Sequence, residues 1–147
     1  MPVIANAHQS TTLDVEAIRR LTHDYSWAVD NFRLEEIVDL FAADAVFDLR
    51  GFGAPEEVRG HDAIRASFAG LIENLTACTH LTMNHLIDVE GETARGTIYC
   101  HAFVVGPDGR RDDNLALYED RYTRTEDGWK FQHRSVKPLP AAPSPAA

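Results

Sequence analysis

Residues 79–137 read THLTMNHLIDVEGETARGTIYCHAFVVGPDGRRDDNLALYEDRYTRTEDGWKFQHRSVK, and this stretch decides the fold. Long runs rich in β-branched and aromatic side chains are cut by three turn clusters, Glu90-Gly91-Glu92, Gly106-Pro107-Asp108-Gly109 and Glu126-Asp127-Gly128. The runs suit a pleated, half-buried surface, and Gly, Pro and Asp supply the turn conformations between them. The spacing predicts four strands, at residues 79–89, 93–105, 111–125 and 129–137. Strands joined in order by tight turns form an antiparallel meander.

Toward the N-terminus the texture is helical. Ile18, Leu21, Tyr25, Ala28 and Val29 recur at helical spacing and predict a first helix over residues 13–31, opened by Asp14. Leu34, Ile37, Val38 and Phe41 make one apolar face of a shorter second helix, residues 34–41. A strand is predicted at residues 44–50, a glycine-rich loop at 51–60, and a third helix at 61–74 carrying Ile64, Phe68, Leu71 and Ile72. Three helices gathered ahead of a meander imply an α+β domain with the helices on one face of the sheet, which leaves a cavity between the two if the sheet is strongly curved.

The 147 residues fit one domain, at 13–137, between a flexible tail at 1–12 and a Pro/Ala-rich disordered tail at 138–147. His8, in the first tail, is a poor candidate for chemistry. The net charge of −9 and pI near 5.1, without any Lys/Arg cluster, argue against nucleic acid or an anionic membrane surface as partner. No apolar run approaches the ~20 residues that cross a bilayer. Cys78 and Cys100 sit in strand-like sequence without a Cys-x-x-Cys pair or a secretory leader, so both read as reduced and buried in a cytoplasmic protein.

Four polar residues stand out in core-like sequence: Tyr25 and Asp30 near the end of the first helix, and His80 and His101 on two strands. An imidazole beside a carboxylate takes and returns protons near neutral pH, because its ordinary pKa is about 6.5. Five positions separate Tyr25 from Asp30, so they project about 140° apart and border one cavity without touching. In a regular strand His80 and His85 face opposite ways, and apolar alternation with Leu81, Met83 and Ile87 favours His85 as the inward one unless a bulge intervenes. Tyr99, His101 and Phe103 share a face that reads as a cavity wall. No His-x-His or His-Glu-x-x-His spacing is present, so neither a metal nor another cofactor is expected, and His61 and His133 have no nameable partner.

These elements, in this order, resemble a SnoaL-like member of the nuclear transport factor 2-like superfamily. The resemblance covers about residues 13–137 and is carried by Tyr25-Ser-Trp-Ala-Val-Asp30, Asp39-Leu-Phe-Ala-Ala-Asp-Ala-Val-Phe47, Arg59-Gly-His-Asp-Ala-Ile64, Thr79-His80 with Asn84-His85, and Asp127-Gly-Trp-Lys-Phe131. It implies a cone-shaped α+β fold, three helices packed in a strongly curved, mixed but mostly antiparallel sheet around an apolar pocket, commonly dimeric through the sheet's outer face. The closest pattern is that of scytalone dehydratase, bile acid 7α-dehydratase and hexachlorocyclohexane dehydrochlorinase. There an aspartate ending the first helix pairs with a histidine at the start of the strand after the third helix, positions matched by Asp30 and His80. In the two dehydratases a tyrosine precedes that aspartate, as Tyr25 does, and His101 resembles a further pocket histidine of scytalone dehydratase.

The resemblance shifts preference from His85 to His80. It implies a cofactor-independent lyase in which Asp30 fixes the tautomer of His80, His80 removes a proton, and Tyr25 and His101 assist. A small, cyclic, hydrophobic substrate would lie against Phe47, Phe52, Met83, Tyr99 and Phe103. An isomerase or polyketide cyclase would use the same proton transfer, and a non-catalytic dimeric module binding a small hydrophobic ligand is the alternative from a different class; a homo-oligomer (dimer or trimer) is expected on either reading.

Overall fold

The computed structural model describes the backbone of residues 3–140 and the side chains of residues 11–140. Helix α1 (Val3–Asp30) buries Ile18, Leu21, Tyr25 and Ala28 along one face. It begins at Val3 rather than Leu13, within the stretch expected as an N-terminal tail; residues 1–2 lie outside the described residues. No glycine or proline interrupts residues 3–12.

Helix α2 (Leu34–Asp39) buries Ile37 and Val38, but Phe41 opens strand β1 (Phe41–Asp48) instead of closing the helix. The apolar face of the helix and the pleat of the strand both accept Phe41. Its register opposite Phe131, with the Phe131 N–H donating to the Leu40 carbonyl at 2.9 Å, decides for the strand. The glycine-rich loop holds a 3₁₀ turn (Arg50–Phe52) and a two-residue strand β2 (Val58–Arg59), which leads into α3 (Gly60–Glu73). The four meander strands follow as β3 (Ala77–Glu90), β4 (Thr93–Val105), β5 (Arg111–Thr125) and β6 (Gly128–Pro138). Pro138 closes β6 and the Leu139 N–H bonds the Leu115 carbonyl; residues 141–147, most of the expected C-terminal tail, lie outside the described residues.

The sheet is six-stranded and mixed, ordered β2-β1-β6-β5-β4-β3. Its one parallel pairing joins β1 to β6, a long-range contact that no turn announces. Between sheet and helices the core is heavily aromatic: Phe47 stacks on Phe68 at 4.9 Å, and the Tyr25 ring meets Phe41, Phe68, Tyr118 and Phe131 edge-on. Such rings add dispersion and quadrupole energy to the area they bury. Among the described residues no helix is long and apolar enough to cross a membrane.

One irregularity positions the site. The β3/β4 register runs Met83↔Tyr99 and then Leu86↔Thr97, so β3 carries one extra residue there, and Asn84 takes a φ of 54°. Asparagine accepts this left-handed conformation at low cost. The bulge resets the strand's phase, bringing both His80 and His85 to the inner face while Leu81, Met83 and Leu86 are left exposed outside. Gly96 pairs with Ile87 just past the bulge, where a Cβ would stand 2.7 Å from the Leu86 carbonyl oxygen and 3.1 Å from the Tyr122 hydroxyl. Gly96→Ala is therefore expected to lower unfolding free energy by about 1–3 kcal/mol, as overpacking does, read from urea denaturation. An unchanged midpoint would show that the bulge yields freely.

Candidate active site

Asp30 is the last residue of α1, and β3 passes close beside it. A carboxylate at a helix C-terminus faces the negative end of the helix dipole and needs a partner. His80 supplies two. Its backbone N–H donates to Asp30 Oδ2 at 3.0 Å, and its ring Nδ1 lies 2.6 Å from Asp30 Oδ1. A carboxylate accepts only, so the geometry assigns the ring proton to Nδ1 and leaves a lone pair on Nε2. Both side chains are largely shielded from solvent, with 13% and 20% of the His80 and Asp30 side chains exposed.

His80 stands in the wall of an apolar cavity of about 290 Å³, bounded by Tyr25, Phe47, Phe52, Phe68 and Tyr118. Asn114 is the one side-chain amide there; across the sheet it pairs with Ala102, which pairs with His80. A small alanine between two polar residues leaves room for a flat ligand reaching both. A wider groove of about 460 Å³ over Arg95, Glu119, Arg121 and His133 is charged and does not include His80, so the apolar cavity is the better candidate.

Tyr25 borders the cavity, its ring 6.5 Å from that of His80 and at 80° to it. Burial pushes its phenol well above the ordinary range, which keeps it protonated and a donor. Behind it lies Arg134, fully buried, its guanidinium 4.1–4.4 Å from the ring centroids of Phe131, Tyr25 and Tyr118. Nε and Nη2 of Arg134 donate to Asp120 at 2.9 and 2.8 Å. The Tyr122 hydroxyl also donates to Asp120, at 2.8 Å, and His85 Nε2 is 3.0 Å from the Tyr122 oxygen. Since that hydroxyl proton is committed to Asp120, His85 must donate from Nε2.

His85 thus anchors a buried polar network and does not border the cavity. Burial depresses its pKa to about 4. In the unfolded chain it titrates near 6.5, so between these values the unfolded state binds more protons. Its contribution to stability is complete above pH ~6.5 and is lost as pH falls toward about 4. Urea midpoints measured across this window should fall with pH, and less steeply in His85→Leu. Burial also depresses His133, so some slope remains.

The other expected site residues divide. Phe47 and Phe52 border the cavity. His101, Met83, Tyr99 and Phe103 are corrected to the opposite face of the sheet: β4 sends Cys100, Ala102 and Val104 inward, and His101 packs on Phe103 at 4.2 Å outside. The aromatic run that resembled a cavity wall is an apolar outer surface, with Leu81, Tyr99 and Leu115 about half exposed. Cys78, Cys100, Asn114, Tyr118 and Arg134 were not anticipated. The period-2 run Asn114, Ala116, Tyr118 was the readable signal for β5; a lone strand arginine gives none. Both cysteines are buried and unpaired.

Three helices and a six-stranded mixed sheet make up an α+β fold of the nuclear transport factor 2-like class. The chain belongs to the SnoaL-like domain family, whose model matches residues 10–135. A candidate aromatic ring hydroxylase from Novosphingobium aromaticivorans is similar at 33% identity and a TM-score of 0.84, covering 88% of this chain and 92% of that one. A candidate scytalone dehydratase from the same organism shares the fold at 21% identity and a TM-score of 0.83, covering 95% and 93%. An uncharacterized protein of Mycobacterium tuberculosis is 28% identical over 119 residues, 80% of each chain.

Proposed function

We propose that the protein is a cofactor-independent lyase that eliminates water or another small leaving group from a small, cyclic, mostly apolar substrate. The observation that carries this reading is the hydrogen bond of 2.6 Å between Asp30 and His80 at the wall of the apolar cavity. Asp30 holds the Nδ1 proton, so Nε2 of His80 is free to remove a substrate proton beside a carbonyl or leaving group. Tyr25, a protonated phenol across the cavity, donates to the departing hydroxyl or to a developing enolate. Asn114 offers the substrate a second polar anchor. The low dielectric of the apolar wall strengthens each of these interactions.

Proton abstraction to an enolate also serves an isomerase or a polyketide cyclase, and the product distinguishes them. The aromatic ring in the name of one relative, and the dehydratase in that of another, favour a flat cyclic substrate. The reading includes a cone-like wrapping of the sheet around the helices and self-association through its outer face, supported by exposed Leu81, Met83, Tyr99 and Leu115.

The test is turnover on a panel of cyclic hydroxyketones by the wild-type protein and His80→Ala, with products identified by mass and NMR. Loss of water without turnover in the variant supports the lyase. A ligand that binds unchanged through all conditions marks the non-catalytic module instead.

A further inference from the structure

His80 shares its corner of the cavity with a thiol. Cys78 and His80 stand two residues apart on β3, hence on one face, and α1 ends against them at Asp30. One donor atom from each, a carboxylate oxygen, Sγ and a ring nitrogen, lies within 4.8 Å of the other two. Thiolate, imidazole and carboxylate are the donors zinc takes, at about 2.0–2.3 Å in tetrahedral geometry. Their separations around such an ion are on the order of 3.5 Å, so the three groups need move only on the order of an ångström to close on it. The charges also balance: one thiolate and one carboxylate neutralise a divalent cation, which an apolar wall requires of any buried charge.

We propose that Asp30, Cys78 and His80 form a binding site for a thiophilic divalent cation, zinc foremost, and that its occupancy inhibits the protein. The inhibitory half rests on the lyase reading; the binding half does not. An ion on Nδ1 needs the lone pair there, so the imidazole proton moves to Nε2 and the base nitrogen becomes a donor. An ion on Nε2 consumes the reactive lone pair outright. In the first case the ring proton is only relocated and the thiol proton leaves to solvent, giving one proton released per ion bound.

The second group of donors, Asp48, Glu57 and His133, lacks sulfur, and the Arg50 guanidinium already bonds both oxygens of Asp48. A sulfur signature therefore separates the two. Full-length protein is titrated with zinc chloride by calorimetry in two buffers of different ionisation enthalpy, and with cobalt(II) chloride by near-ultraviolet absorption. The expected result is one zinc per chain, about one proton released and an intense cobalt–thiolate band. Cys78→Ala abolishes the band and weakens zinc at least tenfold, while Cys100→Ala keeps both. Absence of the band in the wild type, or its survival in Cys78→Ala, overturns the site without any need for the variant to match wild-type stability. Zinc that binds through Cys78 yet leaves turnover unchanged overturns the inhibition. Binding as expected in a protein that turns over nothing leaves the site standing and sinks the lyase.

Discussion

His80→Ala is expected to lower kcat/KM by about 10²- to 10⁴-fold, the range that a positioned general base contributes. That is roughly 3–5 kcal/mol of transition-state stabilisation. The loss should fall on kcat rather than KM, because the cavity walls, Phe47, Phe52 and Phe68, bind the ring regardless. The fold should survive, since the backbone N–H of residue 80 keeps its bond to Asp30. Asp30→Asn probes the same proton from the other side. An amide that donates to Nδ1 stabilises the tautomer with its proton on Nε2, so activity falls although the ring stays in place. Turnover of His80→Ala within tenfold of wild type would assign the base elsewhere.

The largest effect on stability is expected from Asp120→Ala. It strips the buried Arg134 guanidinium of both its carboxylate bonds and leaves a cation among Tyr25, Tyr118 and Phe131. Breaking a buried pair in this way costs about 3–5 kcal/mol. The aromatic faces hold part of the charge by cation–π attraction, worth about 2 kcal/mol when desolvated, but cannot replace the hydrogen bonds. Arg134 also has one nitrogen, Nη1, without a protein partner, so the network has no spare acceptor to fall back on. Removing both charges in Asp120→Leu with Arg134→Met should recover much of the loss, because the apolar pair carries no desolvation cost. Chemical denaturation of the single and double variants measures the coupling. A single variant as stable as wild type would mean that the cation finds another partner.

Much of the scaffold was legible because local chemistry announces it. The three turn clusters bound β3 to β6 to within about two residues, and the apolar spacing of Ile18, Leu21 and Tyr25 marks the buried face of α1. What local chemistry does not carry was misread. Phe41 satisfies a helical face and a strand equally, and only its distant neighbour Phe131 decides. Both faces of β4 are apolar, so alternation separates Cys100 and Ala102 from Tyr99 and His101 without saying which pair is inside. For β3 the alternation pointed to His85, because the bulge at Asn84 that turns both histidines inward leaves no mark in a period-2 count. The family likeness supplied His80, whose Nδ1 lies 2.6 Å from Asp30 Oδ1. It also suggested His101 for the cavity, where the sheet's geometry disagrees. Arg134 gave no signal in the sequence, since a buried cation is recognisable only with the carboxylate that meets it, here Asp120.

The sheet order has a consequence for biosynthesis. β6 is made last among the strands, yet it lies between β1 and β5 and joins the two halves of the sheet. A nascent polypeptide halted before Gly128 holds a β5 with one bare edge and a β1 without its parallel neighbour. Such long-range closure is slow, and unpaired edges are where chains on the ribosome aggregate or recruit chaperones. Arg134 arrives on that same strand, so the partner that Asp120 requires enters the molecule only as the sheet closes.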